Sequence, residues 1–328
     1  MLGTIPQPTM ARPTMARPTI PRLVVIGSLN MDLTVRAPRL PRPGETVLGT
    51  DFYQAPGGKG GNQAAAAARL GGRVRMVARV GQDAFGAALR TALQAEGVDT
   101  TAVGIAEGPT GLALIVVDAA GQNQIAAVPG ANAHLAPEDL DRLDWEPGEW
   151  AVAQLEVPDA AVVRGFDRAR AHGGRTVLNA APARPLPADL WALTDLLVVN
   201  ETEAALLSGQ PVEDPAAAVT AARALVARGP AIVAVTLGAQ GSVLVSPEGD
   251  WHVPAIPVQA VDATAAGDAW VGALATALAR GDNLLRAATF ASAAGAITVT
   301  RHGAQPALPY QHETESLAGQ APEPRRLD

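Results

Sequence analysis

The chain has 328 residues, of which 48% are hydrophobic and 17% are charged, and its length suggests two domains or one large α/β domain with an appendage. Acidic residues outnumber basic ones by 32 to 25, and the resulting net charge of −7 argues against a nucleic-acid or basic membrane surface. The lack of cysteine excludes disulfides, thiolate metal sites and a cysteine nucleophile, and is compatible with the cytoplasmic location that we expect.

Both ends of the chain are predicted to be tails. Residues 1–22 repeat the sequence PTMAR and carry five prolines between Pro6 and Pro21, a pattern that forms neither a helix nor a strand ladder. Residues 311–328 are predicted to be a partly disordered C-terminal tail. The longest uncharged stretch, 229–247, is interrupted by Pro230 and Gly238, so no membrane span is expected.

Between these tails, residues 23–310 are predicted to form one domain in which short apolar strands alternate with alanine-rich helices. Strands are predicted at 23–27, 74–80, 151–155, 176–178, 196–199 and 232–236. Helices are predicted at 62–70, 84–95, 160–171, 201–207, 216–227, 269–279 and 284–296. This order is typical of an α/β fold with a doubly wound, mostly parallel sheet and helices on both faces.

Two segments interrupt the alternation of strands and helices. Residues 33–56 and 111–127 lack helical periodicity and contain the turn signals Pro43-Gly44 and Gly121-Gln122-Asn123. We therefore expect one small β-sheet, a lid over the main domain. Because ligands of open α/β sheets bind at the carboxyl ends of the strands, functional residues are expected just after the predicted strands.

A glycine-rich loop, Gly57–Asn62, leads into the first predicted helix. Glycines let a backbone approach a ligand closely, and a helix N-terminus attracts anions and hydroxyls. Taken alone, such a loop is more often only flexible. Lys59 within it is the single lysine among the 25 basic residues.

The segment Asp262–Asp268 precedes another predicted helix and is rich in small residues. Its amides and the helix dipole could stabilise an anion, and Asp268 could accept a proton. The alternative is that an aspartate in a first helical turn is an ordinary capping residue.

Three further strand ends carry polar or glycine-rich segments. Asn200 and Glu203 have the spacing of a capping box, which needs no function. The functional alternative is that Asn200 contacts a phosphate and Glu203 is an acid near a bound divalent ion. The segment from Thr236 to Ser242 is typical of either a glycine-rich hairpin or a nucleotide-binding turn. Asn30 and Asp32 could share a polyol or form a simple turn.

Together, the order and spacing of these motifs resemble the ribokinase-like (PfkB) carbohydrate kinase family from about residue 23 to about residue 309. The segments that carry the resemblance are GSLNMD, PRPGET, GGKGGNQA, NAAPAR, NETEA, TLGAQG, VDATAAGD and TRHGAQP. The resemblance implies a ribokinase-like kinase with a lid. The polyol-binding residues and the NAAPAR and GAQP stretches favour ATP-dependent phosphorylation of D-ribose at the C5 hydroxyl, giving ribose 5-phosphate.

The resemblance also implies roles for individual residues. Asp268 would be the base, the amides of Ala265, Ala266 and Gly267 would form the anion hole, and Lys59 would assist phosphoryl transfer. The residues that would bind the sugar are Asn30, Asp32, Gly58, Lys59, Asn62, Glu156 and Asp268. Those that would line the ATP site are Asn200, Thr236, Gly238, Gly241 and Ser292. Glu203 would help to hold Mg²⁺ through water.

Members of this family also bind K⁺ or a similar monovalent cation, here implied at Asp262, Thr264, Thr298, Arg301 and Gly303. The chain departs from many relatives at Ala307, where they place a serine. The resemblance further implies a homodimer formed through paired lids, with the sugar and ATP as small-molecule partners.

The sequence leaves two alternative functions open. The first is a kinase of the same family that acts on another small sugar or a nucleoside. The second is a non-catalytic sugar-binding relative, since fold does not fix function. The presence of Asp268 and of the Ala-Ala-Gly turn before it disfavours the second.

Overall fold

A computed structural model describes residues 20–327, so the predicted N-terminal tail over 1–22 lies almost wholly outside the described residues. The strands are β1 (Leu23–Ile26), β2 (Asn30–Arg36), β3 (Asp51–Gly57), β4 (Val74–Gly81), β5 (Asp99–Ala106), β6 (Gly111–Val117), β7 (Asn123–Val128), β8 (Trp150–Ala153), β9 (Thr176–Asn179), β10 (Leu196–Asn200), β11 (Ile232–Thr236), β12 (Ser242–Ser246), β13 (Gly249–Val253) and β14 (Arg325–Leu327). The helices are α1 (Lys59–Arg69), α2 (Ala84–Ala95), α3 (Pro137–Asp141), α4 (Asp159–Ala171), α5 (Ala188–Leu193), α6 (Glu201–Ser208), α7 (Pro215–Val226), α8 (Ala266–Ala279), α9 (Leu284–Val299) and α10 (Gln311–Ala318).

The large sheet has ten strands in the order β14-β13-β12-β11-β10-β9-β8-β1-β4-β5. The strands from β11 to β5 in that order pair in parallel, and β12, β13 and β14 extend the β11 edge by antiparallel pairing. The predicted doubly wound, mostly parallel α/β fold is confirmed.

Two hydrophobic cores lie on opposite faces of this sheet, because successive side chains of a strand point to opposite faces. In β1, Leu23 and Val25 join one core while Val24 and Ile26 join the other. The first core is covered by α1, α2, α8 and α9, and the second by α3 to α7. Burial on both faces explains why the central strands are continuous apolar runs.

The lid is a separate four-stranded sheet in the order β3-β2-β6-β7, so the predicted lid is confirmed. It begins at Asn30 and ends at Val128, slightly beyond the predicted limits of 33 and 127. Asn30 pairs with Gly57 in β3 and with Gly111 in β6. The points where the chain passes between the lid and the main domain therefore lie side by side. All six residues of β7 are exposed.

The C-terminal segment differs from the prediction of a partly disordered tail over 311–328. Residues 311–318 form α10, whose first turn is fixed by an ion pair between Glu313 and Arg301. Residues 325–327 pair with β13 as the edge strand β14. The short strand carries no hydrophobic periodicity, and its order comes from pairing with a distant partner.

Other elements extend the predicted set. The β5 strand lies after α2 and pairs with β4, and the short helices α3 and α5 lie in the second core. Within residues 20–327, no helix is both long and apolar enough to cross a membrane.

Candidate active site

The site lies at the carboxyl edge of the parallel strands, where the sequence placed it. Asn179, Asn200 and Thr236 are the last residues of β9, β10 and β11, and register pairs Asn200 directly with Thr236. Glu156 follows β8. Because adjacent parallel strands end at one edge, these polar side chains gather there without any continuity in sequence.

A cavity of about 230 Å³ opens at this edge. Its walls combine strand ends with the first residues of α1, α6 and α8. The lining residues are Lys59, Asn179, Ala181, Val198, Val199, Asn200, Glu203, Thr236, Ala263, Ala265, Gly267, Asp268 and Val271. The predicted base, the lysine, two of the three anion-hole residues (Ala265 and Gly267) and the nucleotide residues Asn200 and Thr236 therefore line one space.

Asp268 lies in the first turn of α8 and is 7% exposed. Both carboxylate oxygens accept hydrogen bonds: Oδ2 from Asn62 Nδ2 at 2.9 Å and Oδ1 from Gln63 Nε2 at 3.0 Å. Burial raises the pKa of Asp268 above its ordinary value, while Lys59 and the two amide donors oppose the rise. The group is thus a dry carboxylate held in one orientation by neutral donors.

The anion-hole segment precedes Asp268 in a strained turn. Ala265, the residue before α8, has φ 60, a left-handed conformation that costs a residue with a Cβ about 1–3 kcal/mol. This turn presents the start of α8 to the cavity, and Gly267 is exposed there. The amide of Ala266 donates to the Ala263 carbonyl at 3.2 Å, so a phosphoryl oxygen would compete with that bond.

Lys59 is the first residue of α1 and follows Gly58, whose φ of 82 favours glycine. A Cβ on Gly58 would lie 2.7 Å from the Asn30 amide nitrogen, so the close approach of loop and lid strand also requires glycine. Burial lowers the pKa of Lys59, but the carboxylates of Asp268, Glu156 and Glu203 outweigh burial and hold it above its ordinary value. The lysine therefore stays a cation.

The lid side of the site carries the predicted polyol residues. Glu156 Oε2 accepts from Ser28 Oγ at 2.5 Å and from the Lys59 amide at 3.2 Å. Burial, followed by the charges of Glu156 and Asp268, raises the pKa of Asp32 to about 7. The structure thus brings Asp32, Glu156 and Asp268 close enough to repel one another.

Asn30 has a defined amide orientation in this part of the site. Its Oδ1 accepts from Asn132 Nδ2 at 2.7 Å, which leaves the Asn30 amino group free to donate. Asn132 is itself fixed by the Leu29 backbone, accepting from its nitrogen at 2.9 Å and donating to its oxygen at 3.2 Å.

Glu203 forms the capping box that its spacing predicted. Its Oε2 accepts from the Asn200 amide at 2.9 Å, and Asn200 Oδ1 accepts from the Glu203 amide at 2.8 Å. Burial raises the pKa of Glu203, against the Asn200 amide and the charge of Lys59. Among residues 20–327 no three acidic or histidine side chains form a metal-binding group, so a divalent ion here would rely on water and phosphate oxygens.

Three of the predicted ATP residues do not line the cavity. Gly238 and Gly241 lie in the short turn that follows β11, and Ser292 lies on α9. Gly238 and Gly241 therefore lie just beyond the carboxyl end of β11, and none of the three residues has a site contact of its own among residues 20–327.

The residues predicted for a monovalent cation also come together. Asp262 accepts from the Thr264 amide and from the Gly303 amide, each at 2.9 Å, and its own amide donates to the Val299 carbonyl at 3.1 Å. Two predicted side chains are used elsewhere: Thr298 Oγ1 donates to the Ala294 carbonyl, and Arg301 pairs with Glu313. Backbone carbonyls and the Asp262 carboxylate therefore remain as ligands.

Sequence reasoning missed the polar residues that stand behind the predicted site. These are Ser28, Gln63, Asn132, Gln154 and Asn179. Gln63 and Asn179 do lie within the motifs GGKGGNQA and NAAPAR, which was the available signal. Asn132 and Gln154 gave no local sign, because their partners are more than 90 residues away.

Comparison with known proteins agrees with this geometry. The model for the pfkB family carbohydrate kinases matches residues 21–311. The ribokinase of Haemophilus influenzae is 39% identical over 296 residues, covering 89% of this chain and 96% of the relative. The deoxyribokinase of Salmonella typhi is 37% identical over 291 residues, covering 88% of this chain and 95% of the relative.

The fold is shared with a solved structure of the same group. Arabidopsis thaliana ribokinase, solved in complex with ribose and ATP, superposes with a TM-score of 0.83 at 32% identity, covering 92% of this chain and 99% of that one. On the match of the family model and of relatives along nearly the whole described fold, the chain belongs to the pfkB family of carbohydrate kinases.

Proposed function

We infer that the protein is an ATP-dependent ribose kinase that transfers the γ-phosphoryl group of ATP to the C5 hydroxyl of D-ribose. The observation that carries this is the buried Asp268 carboxylate between the polyol residues of the lid side and the strand ends that form the cavity. The relative from Haemophilus influenzae bears the name ribokinase, and the Arabidopsis neighbour was solved with ribose and ATP.

In this proposal Asp268 accepts the proton of the C5 hydroxyl as its oxygen attacks the γ-phosphorus. The bond from that phosphorus to the bridging oxygen breaks, and ADP leaves. Because the alcohol's proton is lost late in a loose transition state, a carboxylate of modest basicity is sufficient. Burial of Asp268 excludes water that would otherwise compete as the acceptor.

Charge on the transferring group is offset by donors that converge on the cavity. Lys59 contributes an ammonium, and Ala265, Ala266 and Gly267 contribute amides at the start of α8. Glu203 fits Mg²⁺ held through water, since its carboxylate lines the cavity beside Asn200. When bound, that ion would neutralise part of the nucleotide's charge.

The loop around Asp262 fits a monovalent cation such as K⁺. Its carboxylate ties the loop before α8 to Gly303, and backbone carbonyls of Thr264, Thr298, Arg301 and Gly303 would complete the set. Ala307 is fully buried and offers no hydroxyl, so one oxygen of the cation's shell would have to come from water. K⁺ at this loop would support the anion-hole turn.

The lid is proposed to close over the sugar and to pair with the lid of a second copy. Closure excludes water and so limits futile ATP hydrolysis. We expect the dimer to act in the cytoplasm with small-molecule substrates alone, in keeping with the acidic charge and lack of cysteine.

The second candidate is a kinase for 2-deoxyribose, because the deoxyribokinase relative is nearly as similar as the ribokinase relative. A coupled assay of ADP release with D-ribose, 2-deoxyribose, other free sugars and adenosine distinguishes these candidate functions. We expect the highest kcat/KM for D-ribose, because polar groups that bind a hydroxyl reject a substrate that lacks it. A higher kcat/KM for 2-deoxyribose or adenosine would overturn the assignment.

A further inference from the structure

Asp268 accepts a hydrogen bond from a chain of buried side-chain amides whose members are not among the proposed sugar-binding residues. Gln63 Nε2 donates to Asp268 Oδ1 at 3.0 Å and also to Asn179 Oδ1 at 3.0 Å. Gln154 Nε2 donates to Gln63 Oε1 at 2.6 Å. Gln63 and Gln154 are fully buried and Asn179 is 8% exposed.

The orientation of this chain is fixed by the backbone. Asn179 Nδ2 donates to the Val198 carbonyl at 3.2 Å, and that carbonyl can only accept. Asn179 must therefore turn its Oδ1 toward Gln63, and Gln63 must turn its amino group toward both Asn179 and Asp268. A flipped Gln63 would set its own oxygen against two acceptors.

Gln154 holds the opposite end of Gln63. Its amino group donates to the Gln63 oxygen, which satisfies that oxygen in the orientation that Asn179 sets. Within the described chain, the buried Gln154 Oε1 has no hydrogen-bond donor. A buried acceptor without a donor costs stability, so the arrangement is not explained by stability alone.

We propose that Gln63, oriented by Asn179 and Gln154, is a positioning residue that holds the Asp268 carboxylate as an acceptor aimed at the substrate hydroxyl. This rests on the proposed role of Asp268 as base. It also explains the asparagine of the NAAPAR motif. Asn179 is oriented by the Val198 carbonyl of β10, and it in turn orients Gln63, which donates to the Asp268 carboxylate.

The surroundings of Asp268 define what Gln63 contributes electrically. The charged groups around it are Lys59 from α1, Glu156 after β8, Asp32 from the lid and Glu203 from α6. Burial raises the pKa of Asp268, whereas Lys59, Asn62 and Gln63 lower it. Asn62 and Lys59 also belong to the proposed sugar site, so Gln63 is the one of these three groups with no proposed contact to the sugar.

Gln63→Met tests the proposal, because methionine nearly matches glutamine in size and donates no hydrogen bond. In the variant the pKa of Asp268 should rise, since one stabilising donor is lost. The acid limb of the kcat–pH profile should then move up by about one pH unit, and kcat at a pH below that limb should fall about tenfold. The KM for ribose should change less than kcat.

A matched control separates this from loss of packing. Thr194 is 2% exposed and donates from Oγ1 to the Leu190 carbonyl at 2.6 Å, remote from the cavity. Thr194→Val removes a buried hydrogen bond and should lower the thermal midpoint without moving the pH profile. Gln154→Met, which loosens Gln63 without touching Asp268, should shift the limb in the same direction by less, and it serves if Gln63→Met does not fold.

Two failures are distinguishable. If Asp268→Asn retained turnover, the proposed base would be wrong, and Gln63 would have no catalytic carboxylate to position. If Asp268→Asn lost turnover while folded Gln63→Met, or Gln154→Met in its place, kept the wild-type pH profile, the positioning role of Gln63 alone would be overturned and the amides would be structural.

Discussion

Three carboxyl groups and one ammonium set the character of the site at the scale of single residues. Asp32, Glu156 and Asp268 lie close enough to raise the pKa of Asp32, and Lys59 is the cation beside them. A free site of this kind holds more negative charge than is favourable for folding. Binding of a polyol supplies hydroxyl donors, so we infer that the repulsion among these carboxylates is reduced when the sugar binds.

Asp32→Asn should stabilise the free protein at alkaline pH. The pKa of Asp32 is about 7 in the folded state and near 3.8 in the unfolded state, so the folded state binds the extra proton between these values. Its contribution to stability is present below pH 4 and is lost as pH rises through 7. At pH 8, above both pKa values, a rise of this size corresponds to about 4 kcal/mol, so the variant should be more stable than wild type by about that amount, with no gain at pH 4.

Urea unfolding at pH 4 and pH 8 measures this difference, and the KM for ribose should rise in the variant. Asp51→Asn, which removes an exposed carboxylate from the same lid, is the matched control and should show no pH-dependent gain. A gain for Asp32→Asn that is equal at both pH values would contradict the assigned cause.

At the scale of elements, the junction of lid and main domain determines where the polyol residues lie. The first residue of β6, Gly111, pairs with Asn30 of β2, and the Asn30–Asn132 amide pair fills the space beside it. A Cβ on Gly111 would lie 2.2 Å from both Asn132 Nδ2 and Asn30 Oδ1. The glycine therefore allows the amide pair that sets the Asn30 donor toward the sugar.

Gly111→Ala should break this amide pair and raise the KM for ribose by about tenfold or more, which is the loss expected for a misplaced polar contact. The KM for ATP should change less, because the nucleotide residues lie on β10 and β11. Steady-state kinetics with each substrate varied in turn measures both.

The control substitution is Gly319→Ala, since a Cβ there meets only ordinary contacts at 3.6 Å and the residue lies after α10. Equal increases in both KM values for Gly111→Ala would show a general loss of structure and would count against the lid junction as a sugar-orienting element.

The secondary-structure elements also differ in how far they could be predicted from the sequence. Strand-end residues such as Asn200, Thr236 and Glu156 were predictable, because parallel strands bring their carboxyl ends to one edge whatever lies between them. The family, predicted from motifs, and the lid, predicted from two segments without helical periodicity, are both confirmed. β14 and the Gln63–Gln154 contact were not predictable, since each depends on a partner far along the chain that no local pattern announces.

At the scale of the whole molecule, charge and exposed apolar surface have separate locations. The net charge of −7 means that a polyanionic nucleotide is held by local donors rather than by a basic surface. Exposed large apolar side chains are concentrated on the lid: Leu48 (84%), Phe52 (59%), Ile125 (59%), Leu114 (47%) and Val128 (43%). An apolar patch of this kind on a protein surface marks an interaction site, here proposed as the partner lid.

The intact protein should therefore sediment or scatter as a dimer of twice the 33.5 kDa chain. Ile125→Lys, in the fully exposed β7, places a charge in the proposed interface and should yield the monomer with a raised KM for ribose. Leu206→Lys alters an equally exposed residue on α6, outside the lid, and should leave the dimer intact. Light scattering of a wild-type monomer would contradict dimerisation through the lid.

Asp268 is the proposed base of ATP-dependent ribose phosphorylation, and every other proposed role in the site depends on it. The direct measurement is the rate of ribose 5-phosphate formation by wild type and by Asp268→Asn, together with the ribose dissociation constant of each. We expect ribose binding to be nearly unchanged and turnover to be lower by about a hundredfold or more, since the variant keeps the shape of the side chain and loses its acceptor for the proton. Wild-type turnover in a folded Asp268→Asn protein would contradict this role of Asp268.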